Sequence, residues 1–247
     1  MSTQPFTEVH DRWQPQQQKA PPATCTPSAT TSVAAGDPAA GGSENTRSAT
    51  QNALKRLQDV AISAFFLLIL SPVLALIALI IKLQDGGPVI YRRRVVGPGG
   101  AFDAFKFRSM RVDADEILAQ NPALRAEFER NFKLISDPRI TKVGGWLRKL
   151  SLDELPQLLN VLRGEMSIVG PRMITAPELE KYGEFQALLL TVKPGLTGYW
   201  QVHGRQQVAY EERVKMDIYY ITHWSLALDW KLLWLTPARV LKGSGAY

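Results

Sequence analysis

The chain has 247 residues, enough for one medium-sized domain with additions. Its 29 Lys and Arg against 23 Asp and Glu leave a formal charge of +6, which suits anionic lipid headgroups, phosphorylated substrates or nucleic acid without choosing between them. The single cysteine, Cys25, excludes a disulfide framework and a cysteine-based metal site, and His10, His203 and His223 show no ligand spacing.

Residues 1–50 are rich in Gln, Pro, Ala, Thr, Ser and Gly and show no apolar period, which predicts a disordered tail. No charged start leads directly into an apolar run, so the tail does not read as a signal peptide and the working part is expected to face the cytosol. Val60–Ile81 is the long apolar run, bounded by Asp59 and Lys82. As one straight helix it would be about 33 Å long against a bilayer core of about 30 Å, so hydropathy alone favours a spanning helix. Two features oppose that. Pro72 has no N–H for the carbonyl of Leu68 and crowds it, which predicts a kink or break, with Ser71 placed to satisfy a freed carbonyl. Arg47, Lys55 and Arg56 precede the run and Lys82, Arg92, Arg93 and Arg94 follow it, a charge pattern natural for a hairpin that returns to the cytosol. The residues alone leave the two readings balanced.

Beyond the apolar run, 89–96 reads as a strand, 97–100 as a turn and 102–108 as a second strand, with Lys106 and Arg108 on one face and Phe105 and Phe107 on the other. A helix is expected near 113–120, and Asn121-Pro122 starts another as cap and first residue. The stretch 141–150 fits an amphipathic helix with Val143, Trp146, Leu147 and Leu150 on one stripe, and Leu155, Leu158, Leu159 and Leu162 repeat the spacing up to a stop at Gly164. A short strand near 166–169, a turn at 193–195 and helices over 210–223 and 226–235 complete the chain, with Pro237 ending the last. Trp224, Trp230 and Trp234 are either core residues or an interfacial stripe.

The chemistry concentrates in SLDELPQL, 151–158. Ser151 and Glu154 match a capping box, a sufficient structural explanation for both. Pro156 instead suits a helix starting near Leu155, which leaves Asp153 and Glu154 just outside its positive end. Adjacent carboxylates there suit a divalent cation or a phosphate ligand. Arg148, Arg163 and Arg172 lie close in sequence, and Arg108, Arg139 and Arg205 lie further off. Arg172 follows Gly170-Pro171 and Arg205 follows Gly204, placing both on loops where an anionic substrate can be met. The nucleotide-binding glycine loops, the hydrolase elbow and the H-E-x-x-H zinc motif are missing. The residues thus point to a cytosol-facing membrane protein with a carboxylate–arginine site for a phosphorylated ligand. A membrane-tethered basic binding protein remains the alternative from another class, although no nucleic-acid motif is present.

Four motifs stand in order: KFRSM (106–110), DPRIT (137–141), LRKLSLDELPQLLNVLRGEMSIVGPR (147–172) and KPGLTGYWQVHGR (193–205). Over about 54–247 the chain resembles the bacterial sugar transferases, the monotopic phosphoglycosyl transferases, and in particular the short initiating hexose-1-phosphate transferases of exopolysaccharide synthesis. The resemblance implies an α+β fold: a small helix-rich catalytic domain with a short β-hairpin. An N-terminal re-entrant membrane helix and interfacial amphipathic helices would anchor it, giving a tail (1–50), the membrane helix (51–84) and a catalytic domain (85–247). It implies Asp153 as nucleophile and Glu154 as the carboxylate that helps hold Mg²⁺. Arg148, Arg172 and Arg205 would meet substrate phosphates, with Lys106 and Arg108 as further substrate-binding residues. Lys55-Arg56 and Ser71-Pro72 match the basic pair and the break of the re-entrant helix, which tips the balance toward the hairpin. The implied partners are a UDP-sugar, with galactose or glucose ahead of an N-acetylamino sugar, undecaprenyl phosphate in the bacterial inner membrane, and downstream glycosyltransferases. Nucleic acid is not among them. The arginine usual two residues before the first hairpin glycine is Val95 here, so no binding role is expected of 92–95.

Overall fold

A computed structural model describes residues 48–131, 134, 137–204 and 208–241. The expected tail, with Cys25, lies outside the described residues but for its last three, and so does Arg205. Those last three belong to a helix: Ser48 caps it, its Oγ accepting from Gln51 N at 3.2 Å while the Gln51 side chain accepts from Ser48 N at 2.9 Å.

That helix, α1 (Ala49–Asp85), is followed by an antiparallel hairpin, β1 (Ile90–Gly97) and β2 (Gly100–Phe107), then α2 (Ala114–Gln120), α3 (Pro122–Asn131) and α4 (Lys142–Lys149). A 3₁₀ turn (Leu152–Glu154) leads into α5 (Gln157–Arg163), β3 (Ser167–Val169) and α6 (Ala176–Leu179). Short helical turns over Glu180–Phe185 connect to α7 (Gln186–Leu189), β4 (Gly195–Thr197), α8 (Tyr199–His203), α9 (Tyr210–Thr222) and α10 (Leu226–Leu241). β3 and β4 pair in parallel, Ser167 opposite Gly195. The helix-rich α+β class expected from the sequence is observed, and Asn121 caps α3 as expected, accepting from Leu124 N at 3.1 Å.

The main core gathers Val95 and Ala104 of the hairpin, Leu158 and Val161 of α5, Ile168 and Val169 of β3, Tyr182, Tyr220 of α9 and Leu232 of α10. A smaller cluster joins Ile77 and Ile81 of α1 to Phe107 and Leu147. Both ends of α1 therefore pack on the same domain, while Phe65, Phe66, Leu68, Ile69, Leu76 and Leu79 between them are exposed.

Several expectations are corrected. α1 stays helical through Pro72, which rules out a break, the stronger of the two expectations there. Ser71 Oγ donates to Leu68 O at 2.8 Å, the carbonyl that proline leaves without its N–H, so the lost ladder bond is replaced locally. α10 likewise passes Pro237 and ends at Leu241, since proline removes only one bond of the ladder. Trp146 and Leu159, counted on apolar stripes, are exposed, whereas Gln157 and Asn160 on α5 are buried. Asn160 fastens α5 to the hairpin: its Oδ1 accepts from Phe105 N at 3.0 Å and its Nδ2 donates to Asp103 O at 2.8 Å. On α10, Trp230 and Trp234 face outward, 58% and 86% exposed, while Trp224 before it is buried.

Candidate active site

Asp153 and Glu154 lie in the 3₁₀ turn between α4 and α5. Ser151 enters the turn in the left-handed region, φ 54°, the one non-glycine positive φ among the described residues. That conformation costs roughly 1–2 kcal/mol and persists only where its surroundings enforce it. The capping box expected of Ser151 and Glu154 is not formed: Ser151 makes no cap bond, and α5 begins at Gln157 rather than near Leu155. Glu154 turns instead to β2, where Lys106 Nζ donates to its Oε1 at 2.5 Å. A capping box is thereby ruled out as the explanation for this motif.

Arg148 reaches the same place from α4. Thr141 caps α4, accepting from Gly144 N at 2.9 Å, and Gly144 lies so close to the Ser109 backbone that a Cβ there would overlap Ser109 O. This close approach lets Arg148 Nε donate to Ser109 Oγ at 2.8 Å. Burial disfavours the Arg148 charge, and Asp153 is the leading charge that offsets this. Arg172 comes from the turn after β3, and its residue bridges to Gly195. Gly170 and Gly195 meet backbone to backbone with no room for a Cβ, so the GPR and KPGLTG motifs are joined through their glycines.

The two carboxylates are driven apart electrostatically. Burial pushes Asp153 above the usual aspartate range; Lys106 opposes this and Glu154 adds to it. Burial acts on Glu154 too, but Lys106 and then Arg172 overcome it and hold that carboxyl at about 2. Glu154 is thus a standing negative charge, and Asp153 a shielded carboxylate facing cations. Among the described residues no group of three or more His, Cys, Asp and Glu converges on a metal position. Two adjacent carboxylates, one of them permanently ionised, nevertheless fit Mg²⁺, which commonly takes one or two carboxylates and completes its shell with water and phosphate oxygens.

The remaining expected residues fall elsewhere. Arg108 is buried and ion-paired with Asp85 at the end of α1, not directed at Glu154 as Lys106 is. Arg139 is closed off by Asp137 in a two-point pair, with bonds of 2.8 and 2.7 Å. Lys55 and Arg56 are not free basic flanks. Lys55 is buried against Asp229 at 2.6 Å, and Arg56 donates to the Val161 and Leu162 carbonyls in the last turn of α5. Sequence reasoning passed over Arg93, which pairs with Glu178 at 3.0 Å and adds to the positive field on Glu154. Its place on the inward side of β1, between exposed Arg92 and Arg94, was the available signal. Val95 is buried in the core, so no cation stands at that position.

Buried Asp153 and half-buried Glu154 thus stand among Lys106, Arg148 and Arg172, on a domain that carries, among the described residues, one exposed apolar helix long enough to cross a membrane. The chain matches the bacterial sugar transferase family over residues 50–243 and belongs to it. It is 47% identical over 199 residues to the undecaprenyl-phosphate galactose phosphotransferase of Salmonella typhimurium, covering 78% of this chain and 42% of that protein. Against the exopolysaccharide production protein ExoY of Sinorhizobium fredii it is 45% identical over 198 residues, 78% of this chain and 88% of the other. Identity to the UDP-glucose:undecaprenyl-phosphate glucose-1-phosphate transferase of Escherichia coli is 40% over 204 residues, 78% of this chain and 41% of that one. The chain thus spans about two fifths of the Salmonella and Escherichia proteins and most of the Sinorhizobium one.

Proposed function

We propose that the protein transfers hexose-1-phosphate, galactose or glucose, from a UDP-sugar to undecaprenyl phosphate, releasing UMP, as the first step of exopolysaccharide or other surface-glycan synthesis. The observation that carries this reading is the polarised pair: a buried Asp153 facing cations, beside a Glu154 held ionised, in a chain similar to named undecaprenyl-phosphate sugar transferases. Asp153 Oδ attacks the sugar-bearing phosphorus; an O–P bond forms as the bond to the UMP phosphate breaks, leaving an aspartyl phospho-sugar. A phosphate oxygen of the lipid acceptor then attacks that phosphorus and the Asp153 carboxylate leaves, restored. Arg148 and Arg172 offset charge on the phosphoryl oxygens, and Lys106 keeps Glu154 in place and ionised. Asp153 and Glu154 are the residues that would hold Mg²⁺, which when bound adds charge neutralisation at the phosphates. Incubating the purified chain with undecaprenyl phosphate and a panel of UDP-sugars, including N-acetylamino sugars, tests the reading. UMP release from UDP-galactose or UDP-glucose is expected, and no release from any donor would sink it.

The metal assignment has its own test. Glu154→Gln should retain at most about 1% of activity, as expected for a lost charge at a phosphoryl-transfer site, and EDTA should stop the parent enzyme. Full activity in EDTA would remove Mg²⁺ from the reading.

The apolar helix is read as monotopic, entering and leaving on the cytosolic face of the inner membrane. Support comes from its two ends: Lys55 and Asp59 near one, Ile77, Ile81 and the Asp85–Arg108 pair near the other, are packed on one domain. Fastening both ends to one domain supports entry and exit on the same face. The outward Trp230 and Trp234 of α10 suit the headgroup level beside it. Single cysteines at Ser48 and Gln84, in a Cys25→Ser background, should both resist an impermeant thiol reagent in spheroplasts and react once the membrane is opened. Labelling at 48 from outside would mean an ordinary spanning helix.

A further inference from the structure

Next to the carboxylate pair lies a second group of cations. Trp200, in α8, is flanked by two guanidinium groups, with Arg172 Cζ 5.2 Å and Arg213 Cζ 4.3 Å from its ring centre. Tyr210 forms a further wall, 4.7 Å from Arg213 Cζ. Neither arginine has an ion pair among the described residues. Asp217, one helical turn after Arg213, forms no ion pair with it; its charge acts on both arginines, and its Oδ2 accepts from the Tyr182 O–H at 2.8 Å. Burial, and after it the like charge of Arg172, pull the pKa of Arg213 down. Two guanidinium groups held on one indole, partly desolvated and without a paired carboxylate, repel each other, and a bound anion relieves that repulsion. Arg172 also acts on Glu154, second only to Lys106 among the charges there, so it stands between the carboxylate pair and Arg213.

We propose that Arg213, with Arg172, forms a second phosphate-binding position adjoining the Asp153–Glu154 pair, the two guanidinium groups held in place by Trp200. The proposal rests on the transferase reading above and extends it to a residue of α9. Both substrates of that reaction bring a phosphate: the donor as a diphosphate whose second phosphoryl group departs with the nucleoside, the acceptor as a lipid monophosphate. Planar guanidinium groups suit either, because each offers parallel N–H donors to two oxygens of one phosphate.

The experiment uses the full chain in detergent, with Asp153→Asn to block turnover during binding measurements. Arg213→Gln should weaken binding of UDP and of metal-free pyrophosphate by roughly 10- to 100-fold, the loss expected for a charge-assisted contact to phosphate. Arg213→Lys, which keeps the charge but not the fork, should recover part of that and serves alone if the glutamine variant fails to fold. In turnover assays, a raised KM for the UDP-sugar assigns the site to the donor. Unchanged UDP binding with a similarly raised KM for undecaprenyl phosphate assigns it to the acceptor. Unaltered affinity and KM for both, or a lowered melting temperature as the only change, would reduce Arg213 to a packing residue and overturn the proposal. Failure of the parent chain to release UMP would strike the transferase reading instead, while pyrophosphate binding would still report on Arg213.

Discussion

Asp153→Asn is expected to cut UMP release by at least about 10³-fold, as loss of a covalent nucleophile does, without weakening the fold. The carboxamide has nearly the same shape but no oxygen able to form the phospho-sugar bond. Burial already disfavours the charge at this position, so the neutral amide removes a desolvation penalty, and the melting temperature should stay level or rise. Glu154→Gln differs in sign. Lys106 and Arg172 hold Glu154 below its ordinary range, so its carboxylate contributes to stability above that range and its loss should lower the melting temperature. Paired melting and UMP-release measurements on the two variants separate the roles. An Asp153→Asn protein with near-normal release would place the nucleophile elsewhere.

The local elements were legible because their signals are local. The hairpin follows from its glycine turn, α3 from Asn121-Pro122, and the stop of α5 from Gly164, which adopts φ 84°. The carboxylate pair was legible as a candidate, but its competing explanation was not dismissible from sequence. Whether Ser151 and Glu154 cap a helix depends on the left-handed backbone at Ser151 and on Lys106, 48 residues earlier, reaching Glu154. The failures share a cause. Apolar spacing assigned Trp146 and Leu159 to the interior and overlooked the buried Gln157 and Asn160; for Asn160 the reason is that a helix wedged between a hairpin and α1 needs a polar group to satisfy neighbouring backbone. Pro237 was read as a helix end and Pro72 as a kink or break, yet a single missing N–H is tolerated when a hydroxyl replaces it, as Ser71 does. The basic residues before the apolar run read as flanking charge, while the partner that buries Lys55 lies 174 residues away.

That partner sets the largest stability effect expected here. Asp229 is fully buried on α10; its Oδ2 accepts from Lys55 Nζ at 2.6 Å and Trp224 Nε1 at 3.1 Å, and its Oδ1 from Tyr220 O–H at 2.8 Å. Asp229→Ala removes the carboxylate paired with the buried Lys55 ammonium, which keeps its bond to Val169 O at 3.0 Å. Removing one member of a buried ion pair costs about 3–5 kcal/mol, a large part of a domain's stability. Lys55→Met with Asp229→Leu should recover part of this, since no ammonium is then buried without its carboxylate; what remains is the cost at buried Asp59, whose carboxylate loses the neighbouring Lys55 charge. The effect should extend to the active site. Lys55 and the Tyr220 hydroxyl both lie 3.0 Å from Val169 O, and Val169 leads directly into Gly170-Pro171-Arg172. Asp59, one turn along α1, accepts from Ser167 Oγ at 3.0 Å and Ile168 N at 2.9 Å on the same strand. The apolar helix is therefore fastened to the strand that positions Arg172, so loosening that joint should raise the KM for phosphorylated substrate in whatever protein stays folded. Melting curves and donor KM values for the single and double variants would measure both effects. An Asp229→Ala protein as stable as its parent would show that the network contributes nothing to holding α1 on the domain.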